Sequence, residues 1–407
     1  MRNSGRLAAF AILAAGLAPA AAQDWTAQSS GTAEQLTDVW FTDALNGWIV
    51  GDNGTSLVTH DGGITWTPFF LTNQDLGGVA FLDASTGLVV GDNGLIFRTT
   101  NGGANWAPAA SGTGVNLDGV AFGGGGAAYS GGRDGNIVRS TDSGATWSLA
   151  ETGTDRYRDA AARGSSAWIT GEGGAIRATT DGGATWFNQA SGTGNDLRGS
   201  HFLDTQEGWV AGNNSTMIYT NDGGNTWVPR SSGINAGPDA VFFVDSGEGW
   251  AAGDAGVIHH STNGGLLWVV EPSGTGNELN DVFFSDSGHG WAVGVGGTIL
   301  FRGGAADVSG DSAGAQGLSL TNYPNPFEPL TQIRFDLPSE DRVTLVVYDA
   351  SGRVVRNVLR GARYGAGAHG AAWDGLDDAG RQAPSGVYFY SLKTGEERLT
   401  RKMTLRR

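Results

Sequence analysis

Four arginines are the residues best placed by type and position to bind something: Arg133, Arg156, Arg158 and Arg198, with Arg163 close by. A guanidinium is a planar fork of donors that takes a carboxylate through two parallel hydrogen bonds. These four lie in a segment, residues 23–317, that holds 10 Arg, no Lys and 31 Asp+Glu, a net −21. A local group of cations there suits an acidic protein segment or an anionic glycan, with the acidic surroundings selecting among anions rather than attracting them all. A second reading is open at this point. The same arginines have Asp118, Asp134, Asp155 and Asp159 nearby and could serve as their structural ion-pair partners.

Other chemistry is poorly supported. Gly310-Asp311-Ser312-Ala313-Gly314 matches G-x-S-x-G, but a nucleophile elbow needs a strand before it and a helix after it, and the flanking residues offer neither. Cys 0 removes disulfides, thiolate metal sites and cysteine nucleophiles. The 6 His show no metal-ligand spacing, and His259 and His260 share one strand and point to opposite faces. The chain's net charge of −16 disfavours nucleic acid as a partner. The expectation is a protein with no catalytic residues, no metal and no cofactor.

The elements that position the arginines come from an internal repeat. Six tryptophans, Trp66, Trp106, Trp147, Trp186, Trp227 and Trp268, recur at spacings of 40, 41, 39, 41 and 41. A second alignment uses a glycine after an apolar strand: Gly51, Gly91, Gly131, Gly171, Gly212, Gly253 and Gly294. Each unit reads as four strands; in the first copy these are LTDVWFTD, GWIVGDNG, TSLVTHDGG and ITWTPFF. Asp-Asn-Gly and Asp-Gly-Gly supply the positive φ that tight turns need. With 69 Gly in 407 residues a helical fold is excluded, because each interior Gly costs ~1 kcal/mol in a helix. Four short strands per ~40 residues make a propeller blade. Inner strands starting near Leu36, Leu76, Leu117, Tyr157, Leu197, Asp239 and Leu279 give seven blades over residues 23–302. Trp25 opens WTAQSSGTAEQL, a fourth strand with no blade before it, while residues 279–302 supply three strands and lack the fourth. The N-terminal strand is therefore expected to close the last blade, which removes exposed sheet edges.

Within each unit, Ser140-Thr141-Asp142-Ser143-Gly144-Ala145-Thr146-Trp147 resembles the Asp-box (BNR) motif, as do the turns at Asp61, Asp181 and Asp222, with Asn101 and Asn263 replacing Asp in two copies. The unit resembles the photosystem II stability/assembly factor family of seven-bladed propellers. That resemblance implies a protein that binds a client through a basic patch, to which Arg133, Arg156, Arg158 and Arg198 correspond by location only. The Asp boxes themselves read as structural, the Asp accepting turn N–H groups and the Trp packing between blades. Asp-box propellers also include sialidases and other glycan hydrolases. A glycosidase needs paired carboxylates across a cleft, and no Arg-Ile-Pro motif is present.

Residues 303–317 lack large apolar groups and read as a linker. Residues 318–407 hold 13 Lys+Arg and 10 Asp+Glu and alternate like the strands of an Ig-like β-sandwich. The fold class is thus all-β, a seven-bladed propeller followed by a sandwich. Tyr323-Pro324-Asn325-Pro326-Phe327, Trp373-Asp374-Gly375, Gly386-Val387-Tyr388-Phe389 and Arg401-Lys402-Met403 resemble the FlgD-like Ig domain and, equally, the type A C-terminal sorting domain of the type IX secretion system. The second resemblance implies transport to the cell surface, with the secretion machinery as partner. An ordinary Ig spacer is the alternative. Residues 1–22 read as a cleaved secretory signal, with Arg2 and Arg6 before LAAFAILAAGL and cleavage after Ala22. That apolar run is shorter than the ~20 residues a membrane span needs. The reading is an exported binding propeller displayed or secreted by the sorting domain. The alternatives are a periplasmic assembly factor and a glycan hydrolase.

Overall fold

The computed structural model describes residues 25–231, 233–303, 320–323, 327, 330–337, 339–349, 352–365, 367–395 and 398–406. Residues 1–22, read above as a signal, nearly all of the expected linker, and Pro324, Asn325 and Pro326 lie outside the described residues. Seven four-stranded antiparallel sheets make up residues 25–302. Blades 1 to 7 begin with the inner strands Leu36–Phe41, Leu76–Phe81, Leu117–Phe122, Tyr157–Arg163, Leu197–Phe202, Pro238–Phe243 and Leu279–Asp286. Trp25–Gln28 is the outer strand of blade 7, pairing in register from Trp25 opposite Arg302 to Gln28 opposite Ile299.

The second strand of each blade is buried throughout, as in Gly47–Gly51 and Gly208–Gly212, except that His289 at the start of His289–Gly294 is half-buried. Its last glycine is dictated by close approach. A Cβ on Gly51 would strike the Gln35 carbonyl, and one on Gly294 the Glu278 carbonyl. In blade 3 the residue pairing with the first inner-strand position is Gly132, so the alignment on Gly131 is one residue short there.

Stacked rings join the blades. Trp48, Trp168, Trp209, Trp250 and Trp291 on second strands stack on Phe81, Phe202, Phe243, Phe284 and Phe41 of the following blade, at centroid separations of 4.0, 3.6, 3.7, 3.8 and 3.6 Å. The Trp291–Phe41 stack joins blade 7 to blade 1. Asp-box tryptophans meet these phenylalanines edge-on, Trp66 on Phe41 at 5.9 Å and Trp227 on Phe202 at 6.0 Å. Trp106 meets Phe81 likewise, and Trp186 meets Tyr129. Edge-to-face and offset stacks of this kind add about 0.5–1.5 kcal/mol each beyond burial.

The Asp boxes hold their turns as expected of Asx chemistry. Asp142 Oδ1 accepts from Thr146 N at 2.8 Å and Oδ2 from Thr146 Oγ1 at 2.6 Å. Asp61, Asp181 and Asp222 repeat the pattern with Thr65, Thr185 and Thr226. Asn101 and Asn263 keep the backbone bond alone, from Asn105 and Leu267. The turns also serve the ring. Trp168 donates to Gly223 O, Trp209 to Gly264 O and Trp291 to Gly62 O, each in the next blade's Asp box.

The C-terminal region is a sandwich. Thr321–Tyr323, Thr331–Leu337 and Gly367–Trp373 form one sheet, and Val354–Tyr364, Asp341–Asp349, Gly386–Lys393 and Arg398–Leu405 the other. The motif residues here are core and turn residues. Trp373 is buried against Phe327 and Tyr388, and its Nε1 donates to Leu376 O. Asp374 accepts from Leu376 N, and Gly375 sits at φ 68°. Gly386 and Lys402 lie opposite Leu405 and Phe389 on the last strand pair.

Candidate functional site: the funnel mouth

Every inner strand carries a β-bulge at its second residue, seen as a register slip after Leu36, Leu76, Leu117, Tyr157, Leu197, Pro238 and Leu279. A bulge kinks the strand and re-aims the extra side chain. The seven bulged residues are Thr37, Gly77, Asp118, Arg158, Arg198, Asp239 and Asn280, and all seven line a recess of about 340 Å³ at the mouth of the central channel. Two further rings surround them. Residues that lead into the inner strands accept through their carbonyls from hairpin N–H groups, as Gln35 does from Asp52, Asp75 from Asp92, Asn116 from Arg133 and Arg156 from Glu172.

These three rings place the four arginines together. Arg133 comes from a hairpin, Arg156 from an approach loop, and Arg158 and Arg198 from bulges; all four line the recess. Arg163, at the other end of the strand Tyr157–Arg163, is not among the lining residues and donates to Ala162 O. The ion-pair reading is met in part. Arg156 pairs with Asp118 at 3.4 Å, but Asp134, Asp155 and Asp159 are not the partners. Glu172 takes Arg158 at 2.6 Å, and Asp239 takes Arg198 at 2.6 Å. Neither carboxylate was foreseen, because each is brought in from a bulge or hairpin of the ring rather than from the adjacent chain. Arg133 is exposed and makes no ion pair within 4.0 Å among the described residues. Arg158 keeps a buried Nε without a partner.

Opposite the arginines, Asp52, Asp75 and Asp92 form an acidic wall. Desolvation and then repulsion from Asp75 raise the carboxyls of Asp52 and Asp92 above their ordinary value. Burial raises Asp118 as well, opposed by Arg156 and Arg158.

One residue deeper, three carboxyls tie blade to blade. Asp38 accepts from Val79 N at 2.7 Å, Asp159 from Ser200 N at 2.7 Å and Asp281 from Val39 N at 3.0 Å. Burial pushes Asp159 up to about 6. It also raises Asp38 and Asp281, and the neighbouring Asp281 carboxyl raises Asp38 further. Below them His201 stacks on Phe242 at 4.2 Å and accepts from Phe243 N through Nδ1. Burial, with help from Arg163, drives its pKa down to about 3, so the ring is neutral. Phe242 meets Phe283 at 5.0 Å and Trp40 meets Phe283 at 5.3 Å, giving an apolar channel floor.

The comparisons with known proteins agree with this architecture. The family profile described as photosynthesis system II assembly factor YCF48 matches residues 17–106, 69–195 and 192–273, more than half of the chain. The chain belongs to this family. The profile of the FlgD Ig-like domain matches residues 329–397. No curated protein sequence matches. Among solved structures, one described as YCF48 bound to D1 peptide is 25% identical, with a TM-score of 0.59 over 69% of this chain and 96% of that one. YCF48 from Cyanidioschyzon merolae is 22% identical, with a TM-score of 0.57 over 70% of this chain and 100% of that one. The WD40 propeller domain of Doa1 shares the fold at 12% identity and a TM-score of 0.58, over 68% of this chain and 96% of that one. As a YCF48-family chain, this one carries in addition the Ig-like domain after its propeller.

Proposed function

We propose that this chain is an exported, non-catalytic propeller that holds an acidic segment or free C-terminal carboxylate of a client protein in its funnel mouth. The carrying observation is the convergence of Arg133, Arg156, Arg158 and Arg198 on one recess of about 340 Å³. A guanidinium group without a pre-formed carboxylate partner, such as Arg133, gains most from an incoming anion. Family membership supports a protein client, since the related YCF48 structure is described with a peptide. The carboxyls in the channel do not resemble a hydrolase pair, because Asp38, Asp159 and Asp281 are already committed to the next blade's N–H groups.

The signal-like residues 1–22 support a role outside the cytoplasm, and the resemblance of residues 318–407 to a sorting domain supports delivery or anchoring through the type IX machinery. A periplasmic assembly factor is the second reading, favoured by the family profile. The binding test is fluorescence anisotropy of the full chain against three short peptides: one acidic with a free C-terminus, the same peptide amidated, and a basic one. Binding of the first alone, weakened at least tenfold by Arg133→Ala with Arg156→Ala, supports the reading. Equal binding of all three, or none, sinks it, and preference for a sulfated glycan over the acidic peptide moves the client to anionic glycans. For export, a periplasmic reporter fused to residues 318–407 is expected at the surface of a type IX host. A reporter that stays periplasmic leaves an Ig spacer.

A further inference from the structure

Three ring positions meet at each blade of the mouth: the bulged residue, the hairpin residue, and the approach residue of the following blade. Blade 3 fills them with Asp118, Arg133 and Arg156, and blade 4 with Arg158, Glu172 and Asp196. Salt bridges within these sets show that the positions touch: Arg156 reaches Asp118 at 3.4 Å and Arg158 reaches Glu172 at 2.6 Å. Blade 6 is the one blade in which all three are carboxylates: Asp239, Asp254 and Glu278. One oxygen from each lies within 4.8 Å of the others.

A second observation separates this cluster from an ordinary acidic surface. Asp239 is only 7% exposed. Its Oδ1 accepts from Arg198, while its Oδ2 is buried and has no hydrogen-bond partner. A buried acceptor left without a partner is destabilising, the more so when charged. Arg198 also approaches Glu278, at 3.8 Å, and Asp254 Oδ2 accepts from Gly237 N at 3.2 Å. One guanidinium facing three carboxylates leaves two negative charges uncompensated.

We propose that Asp239, Asp254 and Glu278 bind a divalent cation of the calcium class at the junction of blades 6 and 7. An all-oxygen donor set selects hard cations, and bonds of about 2.3–2.6 Å let oxygens on either side of one calcium ion lie nearly 5 Å apart. Half-exposed Asp254 and Glu278 leave room for the waters that complete six to eight ligands. The cation gives Asp239 Oδ2 its missing partner and links the blade 6 bulge and hairpin to the start of blade 7.

The test is calorimetric titration of the chelator-treated full chain with CaCl2, and with MgCl2 for comparison, alongside thermal unfolding. The expected result is saturable one-to-one calcium binding and a melting temperature that climbs with calcium. Asp239→Asn and Asp254→Asn each abolish binding. Asp254→Asn alters only an exposed side chain, so it keeps the test valid if Asp239→Asn fails to fold. Absence of saturable heat for either cation up to about 10 mM, roughly tenfold beyond the millimolar weak end for extracellular calcium modules, overturns the proposal. Binding retained in both variants also overturns it.

Discussion

Trp25→Ala tests whether the ring is held shut by its N-terminal strand. Trp25 is 5% exposed, packs edge-on to Phe284 at 5.9 Å, and donates from Nε1 to Glu271 Oε2 at 3.1 Å. Glu271 belongs to blade 6 and also holds Arg302 of blade 7, whose guanidinium lies 4.8 Å over Trp250. Truncation therefore removes a buried indole and one link of a seam between two blades. A buried Trp→Ala change costs about 3–5 kcal/mol. At roughly 2 °C per kcal/mol for a domain of this size, the propeller transition falls by about 6–10 °C. Differential scanning calorimetry is the assay, with the sandwich transition as an internal reference. Trp147→Ala is the control: this indole is half-buried and donates only to Gly144 O of its own turn, so its loss is the smaller. A propeller that melts as wild type after Trp25→Ala, or drops no further than after Trp147→Ala, refutes the closure argument.

Other outcomes follow from the same contacts. Arg133→Ala should leave the melt unchanged while weakening capture of an acidic peptide, whereas Arg198→Ala should cost about 1–3 kcal/mol because Asp239 loses its Oδ1 donor; equal effects on the melt would show that the two arginines do not differ in role. Asp159 is raised from 3.8 to about 6 in the folded chain, so the native state holds a proton the unfolded chain has already released, and stability falls as pH rises from about 4 to 6. Asp142 has the opposite sign: lowered from 3.8 to about 2, its contribution is whole above about 4 and lost as pH falls towards 2. A melting profile that climbs steadily from pH 4 to 6, unchanged by Asp159→Asn, would contradict this assignment. Trp373→Ala should unfold the sandwich, given its buried contacts with Phe327 and Tyr388, and near-UV circular dichroism of the propeller should persist.

Much of the fold was readable because it rests on repetition. Asp-box turns, glycine positions and the orphan strand at Trp25 recur or fail to recur at fixed spacing, and spacing needs no knowledge of contacts. The one slip, Gly131 for Gly132, fell in blade 3, where Gly123-Gly124-Gly125-Gly126 and Gly131-Gly132 blur the alignment. Four of the five second-strand tryptophans were visible as part of GW pairs, with Trp168 following Ala167, yet their stacking on the next blade's phenylalanine was not, since it joins residues about 35 positions apart across two sheets. The arginine cluster was legible as a break in the repeat. Its partners were not, because Glu172 and Asp239 reach Arg158 and Arg198 across a hairpin or from the neighbouring blade.

The bulge explains why side-chain variety concentrates at the mouth. Elsewhere on the inner strands a side chain must fit the channel packing or tie one blade to the next, as Asp38, Asp159 and Asp281 do. The bulged residue is exempt from the ladder and faces the mouth, so it can vary without unpicking the sheet. Its seven occupants span no side chain at Gly77, amide and hydroxyl groups at Asn280 and Thr37, and both charges at Asp118, Arg158, Arg198 and Asp239. Thr37 and Asn280 still spend their polar atoms on the next blade, donating to Leu76 O and Leu36 O. The charged four are paired within the mouth, Asp118 with Arg156, Arg158 with Glu172 and Arg198 with Asp239, and are the bulged groups whose charge an incoming ligand meets. Changing Thr37 or Asn280 should therefore register mainly in stability, and changing Arg158 in binding as well. Were all six non-glycine positions to affect the melt alone, the ring would be cement and the client would have to bind elsewhere.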